Sequence, residues 1–128
     1  MTTLTEAIHT GAYLGSVADP QLAFETGTVK SGQNLAAGTV IELDETGDII
    51  ACSGVIDSDG VLATDVVGIL HAAVDASASG ANADVPGQVY LARHATVKDD
   101  VLTYPTETSD GEKAAVIASL AKLDIRPR

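Results

Sequence analysis

Apolar and polar positions alternate most cleanly near the middle of the chain. Over residues 39–43, Ile41 and Leu43 fall on one face and Val40 and Glu42 on the other, the period of two of a half-buried strand. Asp44-Glu45-Thr46-Gly47-Asp48 is a polar hairpin loop in which Gly47 can take a positive φ, and residues 49–53 return as a second strand. With the β-prone Thr28-Val29 before it and tight corners at residues 31–34 and 37–38, the stretch 28–53 folds back on itself. It holds no reactive group and reads as architecture. Residues 66–74 (VVGILHAAV) are nearly all apolar, which predicts a central strand buried on both faces. Residues 88–98 alternate again, with Val89, Leu91, Ala95 and Val97 on one face and Tyr90, Ala92, His94 and Thr96 on the other. Arg93 interrupts the apolar face and marks a point where that face could meet a partner. Residues 54–65 and 76–87 read as loops. Asp99-Asp100 form a turn, residues 101–104 a short strand, and Pro105 ends it.

One helix is predicted, over about 110–123. Ser109-Asp110-Gly111-Glu112 has the form of a capping box. Val116, Ile117, Leu120 and Leu123 then make one apolar stripe, leaving Lys113, Ser119 and Lys122 to water. Lys122 also complements the negative end of the helix dipole. Residues 1–27 differ from the rest: threonines and glycines are frequent, and the apolar spacing fits neither helix nor strand for long. Such a segment is either a frayed terminus or an extended strap laid on a surface that supplies its partners. Tyr13 and Phe24 are two of the four aromatic residues in the chain, and a solvated tail has no use for them. The expected division is therefore an extended arm over 1–27 and a compact, mainly β domain with one C-terminal helix over 28–128.

Composition changes the picture in two ways. A length of 128 residues fits one domain, and 45% apolar with only 3% aromatic residues requires a core of Ala, Val, Ile and Leu. The net charge of −11, from 18 acidic and 7 basic residues, repels phosphate backbones and anionic lipid, so neither nucleic acid nor membrane is expected as a partner. No apolar run approaches the ~20 residues that span a bilayer, and no leader-like pattern opens the chain.

Candidate chemistry is sparse. Cys52 is the one cysteine, read as a small buried strand residue rather than a reactive thiol. His9, His71 and His94 have no partners at zinc-ligand spacing, and His71, in the apolar run, reads as a hydrogen-bonded core or interface histidine. Asp57-Ser58-Asp59-Gly60 is oxygen-rich, but lacks a third ligand before its glycine and the closing glutamate of a calcium loop, so it reads as a solvated turn. Lys30 before Ser31-Gly32 lacks the flanks of a biotinyl or lipoyl attachment site. No nucleophile elbow, phosphate loop or dinucleotide fingerprint is present. The expectation is a protein that is not an enzyme and takes no metal or cofactor.

In order and spacing, these pieces resemble the head decoration (capsid cement) proteins of lambda-like tailed bacteriophages. The resemblance rests on MTTLTE at the start, VKSGQNLAAGTV over 29–40 and VGILHAAVD over 67–75. It continues through DVLTYP over 100–105 and SDGEK over 109–113. It implies a compact β-clip-like domain behind an extended arm, and a structural virion protein that binds as a homotrimer at three-fold positions of the expanded capsid. It further implies stabilisation against DNA pressure, with the major capsid protein as partner. The location implied is the outer surface of the virion, after assembly in the host cytoplasm. In the family the arm orders on the capsid by adding a strand to the capsid protein's sheet. The arm of this chain differs in sequence, so the implied contacts carry over as a region: Thr2, Thr3, Leu4, Thr5, Ile8, Tyr13 and Leu14. Other classes compatible with the residues are a β-clip ligand-binding module, which would need convergent polar groups in a pocket, and a host-binding surface protein.

Overall fold

A computed structural model describes residues 11–17, 20–104 and 110–128. The early elements are β1 (Leu14–Val17), the single turn α1 (Pro20–Ala23), β2 (Phe24–Val29), β3 (Asn34–Leu35), β4 (Val40–Leu43) and β5 (Ile49–Ala51). They are followed by β6 (Gly68–Leu70), β7 (Val74–Asp75), β8 (Val85–Leu91), β9 (Ala95–Val97), the helix α2 (Asp110–Lys122) and β10 (Ile125–Pro127). Five strands close a barrel in the order β2-β5-β4-β6-β8; β1-β9-β10 form a second sheet and β3-β7 a small third one. The architecture is mainly β with one helix near the C-terminal end, as expected.

Two apolar clusters explain why the strands lie where they do. Val29, Ile41, Ile49, Leu70 and Tyr90 come one from each barrel strand and belong to a single cluster, so they fill the barrel interior. Their chain neighbours Val40, Ile69 and Leu91 point the other way and pack with Tyr13, Val97, Val116, Leu120 and Ile125. Both faces of β4 and β6 are therefore covered. The expectation that β4 has one wet face is corrected accordingly: Val40 is buried and Glu42 is only 5% exposed. A backbone this close leaves no room at Gly68, where an added Cβ would strike the Leu91 carbonyl.

The β4–β5 hairpin forms as read, with Ile41 opposite Ala51 and Leu43 opposite Ile49. Its loop is organised by one carboxylate: Asp44 Oδ1 accepts the Thr46 and Asp48 amides, each at 2.9 Å, and the Thr46 hydroxyl at 2.7 Å. Lys30 Nζ sits 2.9 Å from Asp44 Oδ2. Helix α2 also forms over nearly the expected residues and buries Val116 and Leu120. Ser119, expected in water, is buried; its Oγ accepts the Val66 amide at 3.1 Å and donates to Asp65 at 3.0 Å. Ser119 thus ties the helix to the chain entering β6. Ser109 of the capping box lies outside the described residues.

Four expectations are corrected by long-range geometry. The single strand expected over 88–98 is two, β8 in the barrel and β9 in the second sheet. The chain breaks at Ala92–His94, where the Ala92 amide donates to the Ala23 carbonyl at 2.7 Å and His94 takes a φ of 58°. Leu91, Ala95 and Val97 share one core cluster across the break, whereas Val89 of the expected apolar face is exposed and Tyr90 and Ala92 of the other face are buried in the second cluster. The run over 66–74 holds strand only at β6 and β7, with a bend between them. Residues 101–104 make no strand; a turn at Asp99–Val101 leads to one bridge, Thr103 with Thr39.

The fourth correction concerns the arm. A boundary at 27 would cut β2, which pairs along its length with β8 from Phe24 opposite Leu91 to Gly27 opposite Gln88. β1 likewise pairs with β9, from Leu14 opposite Val97 to Val17 opposite Ala95. The described residues from Gly11 onward are parts of the fold. The periodicity is missing because the β2 position pressed against Ile49 and Tyr90 is Gly27, while the register of β1 shifts between Leu14 and Ser16. Neither strand displays an apolar row.

Candidate functional site at the root of the N-terminal segment

The described residues hold few groups placed for chemistry. No three His, Cys, Asp or Glu side chains among them are placed to hold a metal ion. Cys52 is buried, and burial pushes its thiol above the usual range, away from the reactive thiolate. His94 meets Asp124 at 3.2 Å in an open surface cavity that Ser16 and Thr96 also line, and those two hydroxyls bond each other at 2.8 Å. The Asp57 carboxylate is spent on its own turn, accepting the Asp59 amide at 2.9 Å and the Val61 amide at 3.0 Å. Arg93, read as a point where the face could meet a partner, donates within the domain to the Leu22 carbonyl and to Glu25, and its guanidinium holds the Glu25 carboxyl below its usual range.

The best-defined polar constellation lies at the first described residues, around Gly11 and Tyr13. The Gly11 amide donates to the His71 carbonyl at 3.0 Å, and the Leu14 amide closes back on the Gly11 carbonyl at 3.1 Å. Gly11 takes a φ of 72°, and a Cβ there would press the His71 ring at 3.2 Å. Tyr13 is 0% exposed, and its hydroxyl lies 3.1 Å from His71 Nδ1. The His71 ring meets Tyr13 and Phe24 edge-on, with centroids 5.9 and 5.3 Å apart. Burial raises the Tyr13 phenol well above its ordinary range, so it stays a neutral hydrogen-bonding group. On its other side, the Tyr13 carbonyl accepts the Lys98 amide at 2.7 Å. One buried aromatic therefore clamps the chain between β6 and the end of β9.

This geometry redistributes the residues expected to touch a partner. Tyr13 is interior, and Leu14 is half-buried against the same core, so the two root the segment and leave no aromatic ring free for outside contact. The structure brings Tyr13 to His71, a pairing across 58 positions that no local pattern announced. Thr2, Thr3, Leu4, Thr5 and Ile8, like His9, lie outside the described residues. Beside the root, β1 is one of the two edge strands of its sheet, and Gly15 and Ser16 are exposed along it.

Compared with known families, residues 3–125 match the family model described as bacteriophage lambda head decoration protein D. No curated protein matches the chain.

Proposed function

The chain belongs to the bacteriophage lambda head decoration protein family, a structural component of the virion that binds the phage capsid, and from that premise we propose how it binds. It sits on the outer surface as a homotrimer at three-fold positions of the expanded capsid and holds the shell against the pressure of packaged DNA. The residues before Gly11, with Thr2, Thr3, Leu4, Thr5 and Ile8 among them, supply the contact with the major capsid protein. Their threonine-rich backbone is suited to pairing with an exposed sheet edge, which satisfies main-chain groups without a demanding side-chain sequence.

The observation that carries this reading is the rooted start of the fold. The Gly11–His71 and Tyr13–His71 bonds hold the chain at a fixed point of the domain immediately after residues 1–10. Pairing a single extended segment with a sheet edge carries an ordering cost, which makes one contact of this kind weak. Three on one trimer act at high effective concentration, and avidity adds about 10²–10⁴-fold.

Deletion of residues 2–10 tests this. The truncated protein should fold cooperatively, keep its self-association and lose most of its hold on expanded capsids in a sedimentation assay. Decoration as tight as that of the full chain would place the contact on the folded domain instead.

A further inference from the structure

Three departures from regular backbone meet at one open cavity of about 260 Å³ on the second sheet. The register of β1 shifts between Leu14 and Ser16, and His94 and Asp124, just before β9 and β10, each take a φ of 58°. Two main-chain bonds brace the pair: the His94 amide donates to the Leu123 carbonyl and the Ala95 amide to the Asp124 carbonyl, each at 3.1 Å. Their side chains meet across this brace. His94 Nδ1 lies 3.2 Å from Asp124 Oδ2, and Arg126 Nε donates to Asp124 Oδ1 at 3.2 Å. Beside them the irregular β1 places the Ser16 hydroxyl 2.8 Å from that of Thr96. Gly15 leaves this hydroxyl room, since an added Cβ would stand 3.1 Å from Thr96 Oγ1. Glycine would take a φ of 58° without strain. The chain instead holds an imidazole and a carboxylate there, and strain of this kind gathers at binding sites. Both side chains are more than half exposed, so their ion pair by itself adds little stability.

We propose that this cavity binds a saccharide, taking adjacent hydroxyls of one sugar ring. Its groups are not those of the Tyr13 root, so the site is a function beyond capsid binding. Charge selects the class of ligand. Asp124 stands between an imidazole and a guanidinium, which hold its carboxyl below the usual range and keep it an acceptor. An oxyanion drawn to Arg126 meets that carboxylate beside it, and a cation drawn to Asp124 meets the guanidinium. An uncharged ligand escapes both conflicts. The groups left over mix donors with acceptors. Among the described residues, the terminal amino groups of Arg126 have no partner, nor has His94 Nε2, an acceptor when Nδ1–H is turned to Asp124. Whichever of the Ser16 and Thr96 hydroxyls donates, the other keeps a hydrogen to give. A sugar hydroxyl both donates and accepts, so a row of them meets guanidinium, imidazole, hydroxyl and carboxylate in turn. Val17 and Ala95 complete the lining with apolar surface for the C–H edge of the ring. No aromatic ring lines the cavity, so one site should bind weakly, with a Kd on the order of millimolar.

The test titrates the isotope-labelled full chain with the methyl glycosides of glucose, galactose, mannose, fucose and N-acetylglucosamine, and separately with inorganic phosphate and with calcium chloride. At least one glycoside should give saturating amide shifts confined to residues 15–17, 94–96 and 124–126. Three variants then probe the site. Asp124→Asn and His94→Asn keep a residue that tolerates a positive φ, and Thr96→Val keeps the shape of the strand. Each should stay folded by circular dichroism and raise the Kd for that glycoside about tenfold or more. Electrophoresis through gels holding dextran or mannan names the source of the sugar. Retardation that Asp124→Asn abolishes identifies a glycan chain, and glycoside shifts without retardation identify a free sugar. No saturating shift with any glycoside would overturn the proposal, as would a Kd that all three variants leave unchanged. Tighter saturation of the same residues by phosphate or by calcium would overturn the saccharide class and make the cavity an ion site.

Discussion

The hairpin loop at Asp44 and the root at Tyr13 are each organised by one side chain, yet they hold the fold in opposite ways. Asp44 gathers donors within four residues of itself, the Thr46 and Asp48 amides and the Thr46 hydroxyl, and reaches farther only for Lys30. Tyr13 gathers nothing local. Its partners are His71, the Lys98 amide and a core drawn from β4, β6, β8, α2 and β10. The loop is polar and outside; the root is an aromatic plug 0% exposed. A local device sets the shape of one turn, whereas a remote one joins the second sheet to the barrel, so damage to the two should differ in size and in reach.

The largest effect should therefore come from Tyr13→Ala. Removing a buried aromatic ring costs ~3–5 kcal/mol, a large share of the ~5–15 kcal/mol that holds a domain of this size together. Urea unfolding should show a much lower midpoint with the slope retained. A loss below about 1 kcal/mol, in the range of ordinary surface substitutions, would break the comparison, because the root would then be clipped to the domain without belonging to its cooperative unit.

The same contrast explains what the sequence made legible. Alternation at 40–43 and 49–51 around a polar loop announces a hairpin because every contact that specifies it is near in the chain. The stripe of Val116, Leu120 and Leu123 announces α2 for the same reason. β2 was hidden because it is a barrel strand whose tight inward position is Gly27 and whose pairing partner begins at residue 85. The β8–β9 break was hidden because Arg93 reads as an interruption of one strand, when its partners Leu22 and Glu25 lie some 70 positions earlier. Ser119 looks like a solvent position until the Val66 amide is placed against it. Tyr13 stands out in the sequence as an aromatic in a segment without periodicity, but what buries it is His71 and the outer barrel face, and no local pattern carries that.

A smaller change sharpens the root further. Tyr13→Phe keeps the ring and removes only the hydroxyl that bonds His71 Nδ1. His71 is half-buried, so water can replace the lost partner, and the loss should fall near the lower end of the ~0.5–1.5 kcal/mol typical of one hydrogen bond. A loss matching that of Tyr13→Ala would mean that the polar contact, rather than the packed ring, holds the root.

The smallest effect should belong to the hairpin, and it should depend on pH. Lys30, the Thr46 hydroxyl and the Asp48 and Thr46 amides favour the ionised form of Asp44 and hold its carboxyl well below the usual carboxylate range. The folded state then binds fewer protons than the unfolded chain, so this contribution is present above about pH 4, the ordinary carboxylate value, and fades as the pH falls through the lower folded value. Two residues earlier, Glu42 has the opposite sign, because burial disfavours its charge and raises its pKa. Its contribution is complete at low pH and is lost as the pH rises through the raised value. Melting curves of Asp44→Asn and Glu42→Gln against the unsubstituted protein should accordingly diverge in opposite directions. The Asp44→Asn deficit should be larger at pH 7 than at pH 3. Glu42→Gln should compare more favourably with the unsubstituted protein at pH 7 than at pH 4. Added salt should shrink the part due to the half-exposed Lys30 while leaving the Thr46 and Asp48 bonds in place. A pH-independent Asp44→Asn deficit would mean that an amide oxygen organises the loop as well as a carboxylate does, and that the turn is set by geometry alone.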